Sequence, residues 1–128
     1  MRRVVFLSRD KDQFIEVEQM LTSKELAIEW IGTGKDLLSL LSDTSKDQSI
    51  DLVVMEETVE DATARTLVES IITQSPMTNC VVAGSLDKKK FHDLYEGYGV
   101  LMQLPLSPGR SDAQKLVTHL DKIMALGC

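Results

Sequence analysis

The sequence predicts an α/β fold: a doubly wound, five-stranded parallel sheet with helices on both faces. Three observations predict it. Short, solid apolar runs recur along the chain, at Val4–Leu7, Leu52–Met55 and Cys80–Ala83. Runs of this kind are strands buried on both faces, as in parallel sheets. Between them lie segments whose apolar residues fall at helical spacing. The strand–helix alternation repeats five times in 128 residues. Alternation at that density implies right-handed crossovers within one sheet.

The elements follow in order. Val4–Leu7 is the first strand, and Ser8-Arg9-Asp10 is the loop after it. Asp10 or Asp12 is placed to cap a helix. That helix runs over Asp12–Glu25, with Phe14, Ile15, Val17, Met20 and Leu21 at helical spacing. Leu26–Ile31 is the second strand, Gly32-Thr33-Gly34 a turn and Lys35–Leu41 a short helix with four leucines. Ser42–Ser49 is polar and reads as a loop. Ile50–Met55 is the third strand, and Thr58–Thr63 an acidic loop. Ala64–Gln74 forms the next helix, with Leu67, Val68, Ile71 and Ile72 on one face; Ser75-Pro76 stops it. Asn79–Ala83 is the fourth strand. Asp87 caps a helix to about Glu96, with Phe91, Leu94 and Tyr95 on its inner side, and Gly97–Gly99 ends it. Val100–Leu104 is the fifth strand, stopped by Pro105. Ser111–Leu126 is the last helix, with Leu116, Val117, Leu120, Ile123 and Met124 inward. The pattern suits a flavodoxin-like (βα)5 sheet of order 2-1-3-4-5, formed by residues 1–128 as a single domain.

Composition narrows the function. The chain carries a net charge of −6, which argues against a nucleic-acid surface, because phosphate neutralisation needs clustered Lys and Arg. The one basic run, Lys88-Lys89-Lys90, reads as a solvated helix start. No apolar run approaches the ~18–20 residues that span a bilayer. The run after Arg2-Arg3 is also shorter than the ~7–15 residues of a signal-peptide core. A cytoplasmic location is therefore expected. Cys80 and Cys128 have no motif spacing; Cys80 reads as a buried thiol. His92 and His119 stand alone, so no metal and no cofactor is expected.

In a doubly wound sheet the functional crevice lies outside the C-terminal strand ends. Here those ends supply Ser8-Arg9-Asp10, Gly32-Thr33, Glu56-Glu57, Gly84-Ser85 and Leu104-Pro105. The stretch DLVVMEE (Asp51–Glu57) brings an apolar strand up to two acids. The element order, DLVVME and GYGVLMQLP together resemble the receiver domain of bacterial two-component response regulators, from Arg3 to about Met124. The resemblance places Glu56 at the phosphoacceptor aspartate. It places Ser8 and Arg9 at the metal-binding acidic pair, with Asp10 adjacent. Gly84 falls at the switch hydroxyl, with Ser85 adjacent, Leu104 at the lysine and Pro105 at the proline. Each phosphotransfer position is thus altered. A Ser hydroxyl is a poor ligand for a hard cation, and an Arg repels one. Glutamate is one methylene longer than the family's acceptor.

Two expectations follow for Glu56. In one, Arg9 takes over charge balance by pairing with it. In the other, Glu56 mimics a charged acceptor, incompletely, since a phosphate carries nearly two charges. The resemblance implies an atypical pseudo-receiver: a phosphorylation-independent module of a two-component-type protein that recognises a protein partner and contacts neither nucleic acid nor membrane. In the family the contact face is the fourth helix, fifth strand and last helix. Tyr95, Tyr98 and Met102 fall there, and a homodimer through that face is compatible with the pattern. The aromatic switch position falls at Leu101, so no rotating ring is expected.

Other classes fit less well. An enzyme would need a His or Cys beside the strand-end acids, and none is there. Gly32-Thr33-Gly34-Lys35 lacks the glycine spacing of a nucleotide-binding loop. A flavodoxin-like small-molecule domain would want a Ser/Thr/Gly-rich first loop, where this chain has Ser8-Arg9-Asp10-Lys11-Asp12. The N-terminal regulatory domain of a transcriptional activator is the remaining alternative.

Overall fold

In the computed structural model the described residues are 3–24, 26–42 and 50–124. The element order is β1 (Arg3–Leu7), a 3-10 turn (Lys11–Phe14), α1 (Ile15–Thr22), β2 (Ala27–Ile31), α2 (Gly34–Ser42) and β3 (Ile50–Glu56). Then come β4 (Thr58–Val59), β5 (Ala62–Thr63), α3 (Ala64–Gln74), β6 (Asn79–Ala83), α4 (Lys88–Tyr95), β7 (Val100–Leu104) and α5 (Arg110–Met124). Five strands form one parallel sheet, ordered β2-β1-β3-β6-β7. With the small β4–β5 hairpin set aside, this is the expected 2-1-3-4-5 order.

Strand alternation divides the core into two layers. Val4, Phe6, Leu52, Val54, Val81 and Ala83 pack with α1 and α5 residues such as Phe14, Leu21, Leu116 and Leu120. Val5, Leu7, Val53, Met55 and Val82 pack with Leu37, Leu67, Val68, Ile71 and Tyr95 of α2, α3 and α4. Both faces of the central strands are dry, which is why these runs are solidly apolar. At the β2 edge Trp30 stacks on Phe6 with centroids 4.5 Å apart, and its indole N–H donates to Glu18. Such a ring pair contributes about 0.5–1.5 kcal/mol beyond area burial.

Helix ends follow the sequence signals. Thr63 caps α3 by accepting from the Thr66 N–H, and Asp87 caps α4 by accepting from Lys90 N–H at 2.8 Å. A cap of this type stabilises by about 1 kcal/mol. Gly97 and Gly99 have φ of +83° and +67°, the left-handed turn that ends α4 and that side chains disfavour.

Three details differ from expectation. The first helix opens with a 3-10 turn at Lys11–Phe14, and the Asp10 side chain makes no cap bond. Thr58–Thr63 is a hairpin rather than a loop, pairing Thr58 with Thr63 and Val59 with Ala62 around Glu60-Asp61. In β7 the pairing moves from Cys80–Val100 to Val81–Met102, so Leu101 is a bulge. The Ser42–Ser49 loop beyond Ser42, the end of the last helix at residues 125–126, and Cys128 lie outside the described residues.

Candidate functional site

The alternation that splits the core also decides where the two acids of DLVVMEE point. Glu56 continues the even-numbered row toward α1, and Glu57 continues the odd-numbered row toward α3 and α4. The Glu56 carboxylate accepts a hydrogen bond from Gln13 Nε2. Gln13 sits in the 3-10 turn, which folds it back over the end of β3. The expected Arg9–Glu56 pair is therefore corrected. Arg9 lays its stem across Gly32 and pairs with Glu60 Oε2 at 2.5 Å. Glu60 is at the tip of the hairpin, an element absent from the sequence reading. Both partners are mostly exposed, so this bridge contributes little to stability.

The other first-loop positions are structural. Ser8 is buried, and its hydroxyl accepts from the Asp10 N–H at 3.0 Å while approaching the Asp10 carbonyl. Asp10 is exposed. Among the described residues no cluster of three His, Cys, Asp or Glu is arranged to hold a metal ion.

Glu57 follows the end of β3 and donates its N–H to Ala83 O, at the end of β6. Its side chain lies on Gly84: a Cβ there would stand 1.9 Å from Glu57 Cδ. Glu57 Oε1 accepts from Leu86 N–H at 3.2 Å, and Gln103 Nε2 donates to Leu86 O at 2.6 Å. The Leu101 bulge sets this arrangement. It turns both Leu101 and Met102 toward the α1–α5 layer, sends Gln103 to the Glu57 side and buries Leu104 completely. Ser85, Pro105 and Leu106 are exposed beside it.

The hairpin closes the other side. Asp61 accepts from Gly34 N–H at 2.7 Å and Lys35 N–H at 3.0 Å, capping α2 across the crevice. Those bonds hold its carboxyl below the usual range, with a smaller contribution from the Arg9 charge. Glu57 and Asp61 are visible in the sequence as acids of the strand end and the loop after it, but their roles depend on the hairpin and the bulge; Gln103 carries no sequence signal.

The expected contact face is partly corrected. Tyr95 is 5% exposed and packs on Phe91, so it belongs to the core. Tyr98 is half-buried beneath Arg65, whose guanidinium lies 3.9 Å from its ring centroid. Met102 is half-buried against the α1–α5 layer.

No protein-family model matches the chain, and no curated protein matches it. Solved structures do. A two-component response regulator from Clostridium difficile aligns with 98% of this chain and 97% of its own, at 15% identity and TM-score 0.77. A two-component response regulator from Legionella pneumophila aligns with 95% of this chain and 99% of its own, at 18% identity and TM-score 0.74. The signal receiver domain of an HD domain-containing protein from Pseudomonas fluorescens Pf-5 aligns with 94% of this chain and 85% of its own, at 17% identity and TM-score 0.74. Identities this low establish the fold alone. The chain has the flavodoxin-like α/β fold seen in receiver domains of two-component response regulators.

Proposed function

We infer that residues 1–128 act as one receiver-like signalling domain that works through a protein partner, without phosphorylation and without an enzymatic activity of its own. The observation that carries this reading is the pairing of the crevice groups with one another. Phosphoryl transfer to a carboxylate depends on positioning and on cations that neutralise developing charge. At these strand ends the one arginine is paired with Glu60, and Leu104 is in the core. Glu56 is held by Gln13, and a second carboxylate, Glu57, fills the space above Gly84. On this reading Glu56 is the relic of an acceptor, and the Ser8, Arg9, Gly84 and Leu104 positions are degenerate. Contacts with a partner then carry the signal, and the surface around Tyr98, Met102 and the 41%-exposed Leu94 is the face to examine.

The test is incubation with acetyl phosphate and magnesium, read by intact mass. The reading expects no phosphoryl adduct. An adduct that Glu56→Gln abolishes would overturn it.

A further inference from the structure

A cavity of about 320 Å³ opens between the end of β3, the start of α3 and the end of α4. Its lining includes Glu57, Thr63, Arg65, Leu86, Leu94 and Tyr95. The volume falls at the lower end of the ~300–1,000 Å³ common for small-ligand sites. Tyr95 is 5% exposed and lines this cavity; its hydroxyl makes no hydrogen bond with a described residue, and the oxygen is not sealed from solvent. Burial pushes the Tyr95 phenol pKa up, and the nearby Glu57 charge pushes it the same way, against a smaller pull from Arg65.

The lining holds one acid and one base, and their states differ. Arg65 has a partner at each nitrogen: Nε donates to Leu94 O at 2.9 Å, Nη2 to the Tyr98 hydroxyl at 2.7 Å, and Nη1 pairs with Glu69 at 2.5 Å. Its charge is balanced by Glu69. Glu57 accepts only the Leu86 N–H, and among the described residues no cation pairs with it. The charge in the cavity without an ion-pair partner is therefore negative, next to the solvent-reachable Tyr95 hydroxyl and two leucine side chains.

We propose that this cavity binds a primary ammonium on a short apolar stem. The ammonium sits on Glu57 and donates to the Tyr95 hydroxyl oxygen, and the stem lies between Leu86 and Leu94. A free small amine and a partner's lysine side chain share that chemistry. The site is independent of whether Glu56 accepts a phosphoryl group.

The experiment is an amide NMR titration of the full chain with n-butylammonium, using n-butanol and butyrate as neutral and anionic controls. Saturable shifts at Thr63, Leu86 and Tyr95 are expected with the ammonium alone. Glu57→Gln keeps the shape and weakens binding about tenfold or more. Tyr95→Phe keeps the ring in the core and weakens binding several-fold, and it decides the matter if Glu57→Gln does not fold. Glu60→Gln, which removes a charge outside the cavity, leaves affinity unchanged. Equal binding of butanol, or full affinity in both cavity variants, overturns the proposal. N-acetyl-lysine methylamide identifies the source: binding as tight as butylammonium assigns a partner's lysine, and weaker binding assigns a free amine.

Discussion

Replacing Gly84 by alanine drives a methyl group into the Glu57 side chain. The new Cβ would stand 1.9 Å from Cδ, 2.0 Å from Oε1 and 2.2 Å from Cγ of Glu57. Non-bonded carbons rest at ~3.5–4.0 Å, so Glu57 must swing away. Position 84 is not in the left-handed region, so the backbone itself accepts alanine. The displaced carboxylate gives up the Leu86 N–H bond, a net loss of about 1–2 kcal/mol for a partly exposed charged acceptor. Crowding against the surrounding packed side chains adds about 1 kcal/mol. The sum is about 2–3 kcal/mol. In a Glu57→Ala background the three nearest obstacles to the methyl are gone. Gly84→Ala then costs less by about the 1–2 kcal/mol of the lost Leu86 N–H bond. The cost of one substitution thus depends on its neighbour. Urea unfolding followed by Trp30, the only tryptophan, measures both arms. With a slope of about 1–3 kcal/mol per molar urea, the midpoint falls by about 1 M in the first and by clearly less in the second. Equal effects of Gly84→Ala in both backgrounds would refute the claim that Glu57 and Gly84 form one unit.

Three further outcomes follow from the same geometry. Asp61 has a lowered pKa in the folded state, so its contribution is complete above the ordinary carboxyl value of 3.8 and is lost as pH falls through the lowered one. Asp61→Asn should therefore flatten the acid side of the stability profile, measured by urea midpoints from neutral pH down; an unchanged slope would contradict the cap on α2. Cys80 is buried and its thiol is pushed up to about 12, so in a Cys128→Ser chain a thiol reagent at mildly alkaline pH should label it only at the rate of unfolding; fast labelling of the native chain would contradict the packing. Leu104→Lys puts the receiver-family lysine into the dry α1–α5 layer and should cost roughly 3–5 kcal/mol in urea unfolding, as other unpaired buried charges do. Little loss would mean that the lysine side chain escapes to the crevice.

Much of the fold was legible because it depends on local pattern. Apolar runs marked the five main strands, and Ala64–Gln74 was bounded by Thr63 and Ser75-Pro76 as the structure has it. The sheet order follows from alternation and handedness. The candidate site was legible only as a place. Which acid faces which layer depends on strand parity, and Glu56 and Glu57 differ by one position and so by a whole face. The 3-10 turn that carries Gln13 to Glu56 has no apolar period to announce it. The Glu60-Asp61 hairpin is four paired residues long, too short for alternation to signal. The β7 bulge is a matter of register with β6, and nothing in Val100–Leu104 alone reveals it. Helical spacing puts Phe91, Leu94 and Tyr95 on the inner side of α4, and the structure buries Tyr95 beside Phe91 while Leu94 stays 41% exposed.

The most direct test of the central claim is an amide NMR titration with magnesium, then with beryllofluoride, which mimics an acyl phosphate. If the crevice is built for partner contacts and not for phosphorylation, the amides of Ser8–Asp10, Glu56 and Gly84 stay in place at millimolar ion. Saturable shifts at those amides would show that Asp10 and the strand-end glutamates assemble a metal and phosphoryl site, contradicting the account.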